Sequence, residues 1–129
     1  MADRFKVHYT PAQARRLLPR LRQWLEEMEV LASELVTLDK YISGLLEQGR
    51  DAGGSEVGRR IRSITRLNRI LAEFSQREIQ IKDLHRGLLD IPSRINGQEA
   101  FLCWEKSEAD LSHWHPLEAG YAGRQPLPE

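Results

Sequence analysis

From Leu17 onward, apolar residues recur at Leu17, Leu21, Trp24, Met28, Leu31, Leu35, Leu38, Ile42 and Leu45, at alternating spacings of four and three. That is the heptad seam of a long helix lying along another. Leu18, Leu25, Ala32 and Leu46 widen the stripe to the breadth of a globular core face. Thr10-Pro11-Ala12-Gln13 supplies the start: a threonine N-cap, a proline suited to the first helical position, and a glutamine that returns the capping-box bond. Pro19 removes the bond back to residue 15 and predicts a kink rather than an end. The helix is expected to run to about Gln48.

Gly49-Arg50-Asp51-Ala52-Gly53-Gly54 reads as an exposed connection, with Ser55 as the next N-cap. A second helix over about Ser55 to Gln80 places Val57, Ile61, Ile64, Leu67, Leu71 and Phe74 on one face, with Asn68 beside it as a register-fixing polar residue. The short turn makes the two helices antiparallel neighbours. A turn centred near residue 52 sets Glu34 and Asp39 opposite Arg66 and Arg69.

Past Gln80 the helical period stops. Leu88-Leu89-Asp90-Ile91-Pro92 and Ala100-Phe101-Leu102-Cys103-Trp104 have strand length, and Asn96-Gly97 between them is a strong type I′ hairpin signal. Pro92 predicts an edge strand or a bulge. A short element from Leu111 to His115 reads as a third strand, and Gly120, Gly123, Pro126 and Pro128 mark a loop-like tail. The expected class is α+β: a long antiparallel two-helix hairpin (10–80) with a small C-terminal strand and loop module (81–129) packed on it, one domain over 1–129. Apolar stripes this wide exceed what two helices cover alone. The C-terminal module or a second subunit must bury the rest, so a homodimer forming a four-helix arrangement is expected.

Composition narrows the picture little. The 129 residues are 40% hydrophobic and 29% charged, with 19 basic and 19 acidic side chains and no net charge. Global electrostatics therefore favour neither nucleic acid nor a membrane surface. The single cysteine, Cys103, excludes an internal disulfide and a multi-thiolate zinc site. No run approaches the roughly 20 apolar residues of a membrane span, and Met1 to Thr10 lacks an apolar secretory core, so a cytoplasmic location is the default.

Lys82-Asp83-Leu84-His85-Arg86-Gly87-Leu88-Leu89-Asp90-Ile91-Pro92 opens a series of distinctive motifs. It continues with Leu102-Cys103-Trp104, Glu108, Trp114-His115 and Gly120-Tyr121-Ala122-Gly123-Arg124-Gln125-Pro126. The series, with Leu17-Leu18-Pro19 in the first helix, resembles a prokaryotic family of unknown function, domain-of-unknown-function family 2203, over nearly the whole chain. Ile91 and Tyr121 stand where the family pattern has phenylalanine, and Ser107 where it has a glycine before Glu108. The resemblance implies no activity, because the family has none established.

Candidate chemistry crowds the last third. Asp83, Asp90 and Glu108 have the character of general acids or bases, with Arg124 as an ion-pair partner. His85, Cys103, Glu108, His113 and His115 are of metal-ligand type, for a zinc or iron ion. His113 and His115 share a face if the segment is extended. The bland alternatives are favoured: Asp83 capping a turn at Leu84–Gly87, Asp90 or Glu108 paired with Arg124, Cys103 as a buried inert thiol, and His115 hydrogen-bonded in a Trp104/Trp114 cluster with His113 at the surface. Arg59, Arg62, Arg66 and Arg69 line one helical face and form a possible basic contact surface; a solvated face answered by helix 1 acids is the better reading, and nucleic acid an unfavoured partner. Phosphate-loop, dinucleotide, serine-elbow and metalloprotease signatures are absent. The leading expectation is a non-catalytic interaction or scaffold module with a protein partner. The alternative is a metal- or small-ligand-binding protein, hydrolytic in one version.

Overall fold

The computed structural model describes residues 2–51 and 53–128. Helix α1 spans Pro11–Glu47 and α2 spans Gly54–Gln76. Five strands follow: β1 Gln80–Asp83, β2 Leu88–Ile95, β3 Gln98–Glu105, β4 His113–Pro116 and β5 Gln125–Pro126, with a 3-10 turn at Tyr121–Gly123. The strands pair antiparallel in chain order, forming a meander. The α+β hairpin-plus-module architecture is the one the sequence predicts.

The capping box closes the start of α1: Thr10 Oγ1 accepts from the Gln13 amide, and Gln13 Oε1 accepts from the Thr10 amide. The helix continues through Pro19 for 37 residues, a length of about 55 Å. At its end Gly49 takes φ +70°, and the amides of Gly49 and Arg50 donate to Leu46 and Leu45 carbonyls. That left-handed closure is a Schellman motif.

The second helix departs from expectation in three ways. Gly53, not Ser55, is its N-cap, and Ser55 lies inside the helix, where its hydroxyl donates to Glu56. It stops at Gln76 rather than Gln80, because Glu78 adopts φ +59° and the amides of Glu78 and Ile79 close a second Schellman motif on Ser75 and Phe74. Its inward face is Ser63, Ile70 and Phe74, with Leu67 against the core, while Val57, Ile61 and Leu71 are exposed. Asn68 is likewise exposed and fixes no buried register.

Arg66 binds both Glu27 oxygens at 2.6 and 3.0 Å, and Arg60 meets Asp39 at 2.6 Å. These partners, rather than Glu34 and Asp39 facing Arg66 and Arg69, put the middle of the hairpin near the left-handed Gly49. Ala52, the expected centre, lies outside the described residues. Such exposed pairs contribute about 0–1 kcal/mol each, so apolar packing holds the helices together.

Asn96 (φ +55°) and Gly97 (φ +80°) form the predicted two-residue turn, pairing Ile95 with Gln98 and running the β2–β3 ladder to Leu88 with Glu105. β2 is an interior strand, contrary to the edge expected for Pro92. β1 pairs only as far as Asp90, however, so Pro92 lies beyond its reach. Alternation from the Ile95–Gln98 closure makes Pro92–Phe101 a non-hydrogen-bonded pair, so the missing N–H falls on the open side. There the Pro92 carbonyl accepts from the Tyr9 amide at 2.8 Å. β1 and β5 lie outside the predicted strands: Gln80–Asp83 falls in the expected helix end and its border, and Gln125–Pro126 in the expected loop.

One face of the sheet packs on the helices. Leu89, Ile91, Leu102 and Trp104 meet Ala14, Leu18, Leu21, Trp24, Leu25 and Met28 of α1 and Ile70 and Phe74 of α2 in a contiguous core. The outer half of the hairpin lies beyond this core. Buried there are Leu38 and Leu45 of α1 and Ser63 of α2.

Candidate functional site

Strict alternation along β2 and β3 turns Asp90, Phe101 and Cys103 to the sheet face away from the helices. Asp90 lies directly opposite Cys103 and Phe101 opposite His115. The hairpin closure makes Asp90–Cys103 a non-hydrogen-bonded pair, the geometry in which cross-strand side chains come closest. Asp90, Cys103 and His115 are 4%, 1% and 1% exposed. Their donor atoms lie within 4.8 Å of one another.

His115 is held at both nitrogens: Nδ1 lies 2.8 Å from the Pro116 carbonyl and Nε2 2.9 Å from Asp90 Oδ1. A carbonyl only accepts, so Nδ1 carries a hydrogen, and one further proton is shared between Nε2 and the carboxyl. The Asp90–His115 unit is therefore neutral overall. Cys103 is a free thiol whose pKa is pushed up to about 12, first by burial and then by the Asp90 carboxylate. With Nε2 engaged by Asp90, the trio has neither a ready thiolate nor a free base, and a Cys–His nucleophile is disfavoured.

Asp90 and Cys103 line a cavity of about 330 Å³ together with Leu88, Phe101, the loop Leu117–Tyr121, Arg4 and Lys82. Two chain segments cover this face. Phe5 packs edge-on to Phe101 at 5.3 Å, and Phe101 in turn lies 5.5 Å from the His115 ring. The N-terminal segment carrying Phe5 is held by two carboxylates: Glu99 accepts from the Arg4 and Phe5 amides and contacts His8 at 2.8 Å, and Glu78 accepts from the Lys6 and Val7 amides. The Arg4 amide, His8 and the Phe5 amide together hold the Glu99 carboxyl down to about 2.

The other sequence candidates go elsewhere. Asp83 accepts from the Arg86 amide and caps its turn, as the structural reading has it, with His85 exposed on the same turn. Glu108 binds Arg124 through both oxygens at 3.0 and 2.8 Å, and its backbone carbonyl accepts from the Trp104 indole. His113 is the β4 residue opposite Cys103, on the same sheet face, and its Nδ1 lies 3.7 Å from Glu108. The structure thus gathers the donor atoms of Cys103 and His115 with those of Asp90, while those of His85, Glu108 and His113 fall outside that group. Nor does His115 sit in a tryptophan cluster: Trp104 is on the helix-facing side, and the aromatic neighbour of His115 is Phe101.

Arg59, Arg62, Arg66 and Arg69 are all exposed, and Arg66 is engaged by Glu27 as a solvated, acid-answered face requires. Tyr121, unmarked as chemistry in the sequence, lies between the Arg86 and Arg124 guanidinium groups at 4.5 and 4.7 Å and donates to Glu105 at 2.9 Å. Ser107 sits in its turn without a left-handed φ, so this turn needs no glycine.

The Asp90–Cys103 juxtaposition has a readable signal. A two-residue loop at Asn96-Gly97 fixes the register, which brings residue 90 opposite 103. Arg4, Phe5, Glu78 and Glu99 have none, since their meeting joins the N-terminal segment to residues far along the chain.

The family model for uncharacterized conserved proteins, DUF2203, matches residues 8–127. The chain belongs to the DUF2203 family. Its quoted motifs now have places: Leu102-Cys103-Trp104 is the strand with Cys103 on the cavity face, Trp114-His115 contributes the imidazole, and Gly120 to Pro126 forms the covering loop and β5. No curated protein and no solved structure matched it.

Proposed function

We propose that this DUF2203 protein is a binding protein that holds a small polar ligand or ion in the cavity on the outer face of its sheet. The observation that carries this reading is the burial of Asp90, Cys103 and His115 side by side, with Asp90 and Cys103 lining the cavity. Burying an acid and an imidazole costs more than apolar residues of equal volume would, and a fold with a complete core on the other face has no need of them. Hydrolysis by Cys103 is set aside on the thiol's raised pKa. A cytoplasmic, reducing setting suits a site whose one cysteine is a free thiol.

The test is native mass spectrometry of untagged protein, comparing wild type with Ala119→Trp, which fills the cavity. Retention of a small species by wild type and its loss in the variant supports the reading. Identical spectra overturn it.

A second reading, self-association, rests on α2. Val57, Ile61, Ile64, Asn68 and Leu71 form an outward heptad seam, with Val57, Ile61 and Leu71 exposed at 38%, 58% and 40%. The flanking Gly58, Thr65 and Ala72 are small and uncharged, which permits close approach of another helix. A second copy lying parallel sets Asn68 against Asn68, the pairing favoured in parallel dimers; an antiparallel one centred on Ile64 sets it against Ile61. Light scattering should give a dimer that Ile61→Glu dissociates, and a strict monomer for wild type removes this reading. Among the described residues no helix is long and apolar enough to cross a membrane.

A further inference from the structure

We propose that Asp90, Cys103 and His115 are the three protein ligands of a divalent transition-metal ion of the zinc class, whose fourth position opens into the cavity. This rests on the reading of the cavity as a binding site and names its occupant. Three adjacent strands supply one donor each, and the donors gather within 4.8 Å. A rigid sheet is the kind of platform that holds such donors in place.

Three features of the site agree on the ion. The Pro116 carbonyl takes the Nδ1 hydrogen of His115, which leaves Nε2 as the ligating nitrogen and fixes the ring by an outer-shell bond. The donor set is one carboxylate, one thiolate and one imidazole, a mixture that suits zinc or ferrous iron rather than magnesium or calcium. Charge also closes: carboxylate and thiolate together offset a divalent cation, so a site that is neutral when empty stays neutral when loaded, as a buried site must. Zinc bonds of about 2.0–2.3 Å in a tetrahedron place donors about 3.3–3.7 Å apart. The 2.9 Å Asp90–His115 contact must therefore open by a few tenths of an ångström, and no pair, all being within 4.8 Å, need close by more than about 1 Å.

The exposed trio Asp3, His8 and Glu99 also gathers metal-ligand types. There Glu99 is already occupied by the Arg4 and Phe5 amides and His8, and Asp3 by Arg94, so it serves to anchor the N-terminal segment.

Loading has a defined proton balance. The ion takes the place of the proton on the Cys103 sulfur and of the proton shared by Asp90 and His115, so two protons leave for each ion bound. The Nδ1 hydrogen stays in its bond to the Pro116 carbonyl.

The experiment is a cobalt(II) titration of untagged, chelator-treated full-length protein, followed by absorbance and by proton release in weak buffer. Expected are saturation at one ion per chain, a thiolate-to-cobalt charge-transfer band, two protons released, and displacement by zinc. Cys103→Ser should abolish the band while circular dichroism stays native. Asp90→Asn keeps a hydrogen-bonding partner for His115 and should weaken binding at least tenfold. Absence of saturable binding by folded wild type, or a band that survives Cys103→Ser, overturns the metal assignment. In that event a cavity ligand still seen by native mass spectrometry leaves the broader reading standing; loss of both defeats both.

Discussion

If Asp90 and His115 are kept for a ligand rather than for the fold, removing both should cost far less than removing either. The pair is 4% and 1% exposed and joined by one 2.9 Å contact. His115→Phe leaves a carboxyl group without its partner, at a cost of about 3–5 kcal/mol. Asp90→Leu leaves a neutral imidazole with Nδ1 still bonded to Pro116 and one nitrogen unsatisfied, costing about 1–3 kcal/mol. In the double variant neither penalty exists. The introduced phenylalanine would take over the ring contact that His115 makes with Phe101, now 5.5 Å between centroids, and the introduced leucine would extend the apolar wall begun by Leu88. Replacing a buried pair by apolar residues is commonly neutral or stabilising by about 1–4 kcal/mol. The assay is urea denaturation of all four proteins with linear extrapolation, supported by melting temperatures, where 1 kcal/mol corresponds to about 3–5 °C at this chain length. The cycle should show coupling above about 3 kcal/mol. A double variant as unstable as the worse single one would refute the reasoning, because the pair would then be holding the sheet together.

Three further outcomes are expected. Glu99 has its carboxyl pKa lowered to about 2 by the Arg4 amide, His8 and the Phe5 amide, so its hold on the N-terminal segment is complete above the ordinary carboxylate range and fades as pH falls toward 2; hydrogen exchange at Arg4 and Phe5, corrected for intrinsic rates, should accelerate over that window, and in Glu99→Gln it should already be fast near neutral pH. Cys103, with its thiol at about 12, is about one part in ten thousand thiolate at pH 8, so a disulfide reagent should label it only at the rate of unfolding; rapid labelling of native protein contradicts the burial. Gly97→Ala places a side chain at φ +80°, with no neighbour within 4 Å to clash, so its cost in urea denaturation should be the backbone strain alone, about 1–2 kcal/mol.

Where chain-local chemistry decides a feature, the sequence carries it. The capping box at Thr10 and Gln13, the heptad seam of α1 and the Asn96-Gly97 hairpin each depend on residues a few positions apart, and each is present. The end of α2 is hidden because a glutamate occupies the left-handed position where glycine is the usual signal. The inward face of α2 is ambiguous for a different reason: the helix bears two apolar stripes, and periodicity cannot say whether Ile61 or Ile70 faces inward. Tertiary packing chose Ile70. The strands β1 and β5 are short and polar, and exist by pairing with neighbours rather than by propensity.

The candidate site divides along the same line. Asp90 and Cys103 face each other across a two-residue turn, so their meeting follows from local sequence. His115 arrives only through the β3–β4 register, set across the connection from Lys106 to Ser112, which no turn type fixes. The cover comes from still farther away, with Phe5 docked on Phe101 and the Leu117–Tyr121 loop closing the other side. Anchors for these two covers are separate: Glu78 and Glu99 for the first, Arg124 with Glu108 beside the second. None of these anchors is a proposed ligand. Loosening the N-terminal cover through Glu99 should therefore change how fast an ion enters and leaves, with little change in which ion is held. Loss of Cys103, a proposed ligand, should instead change which ion is held.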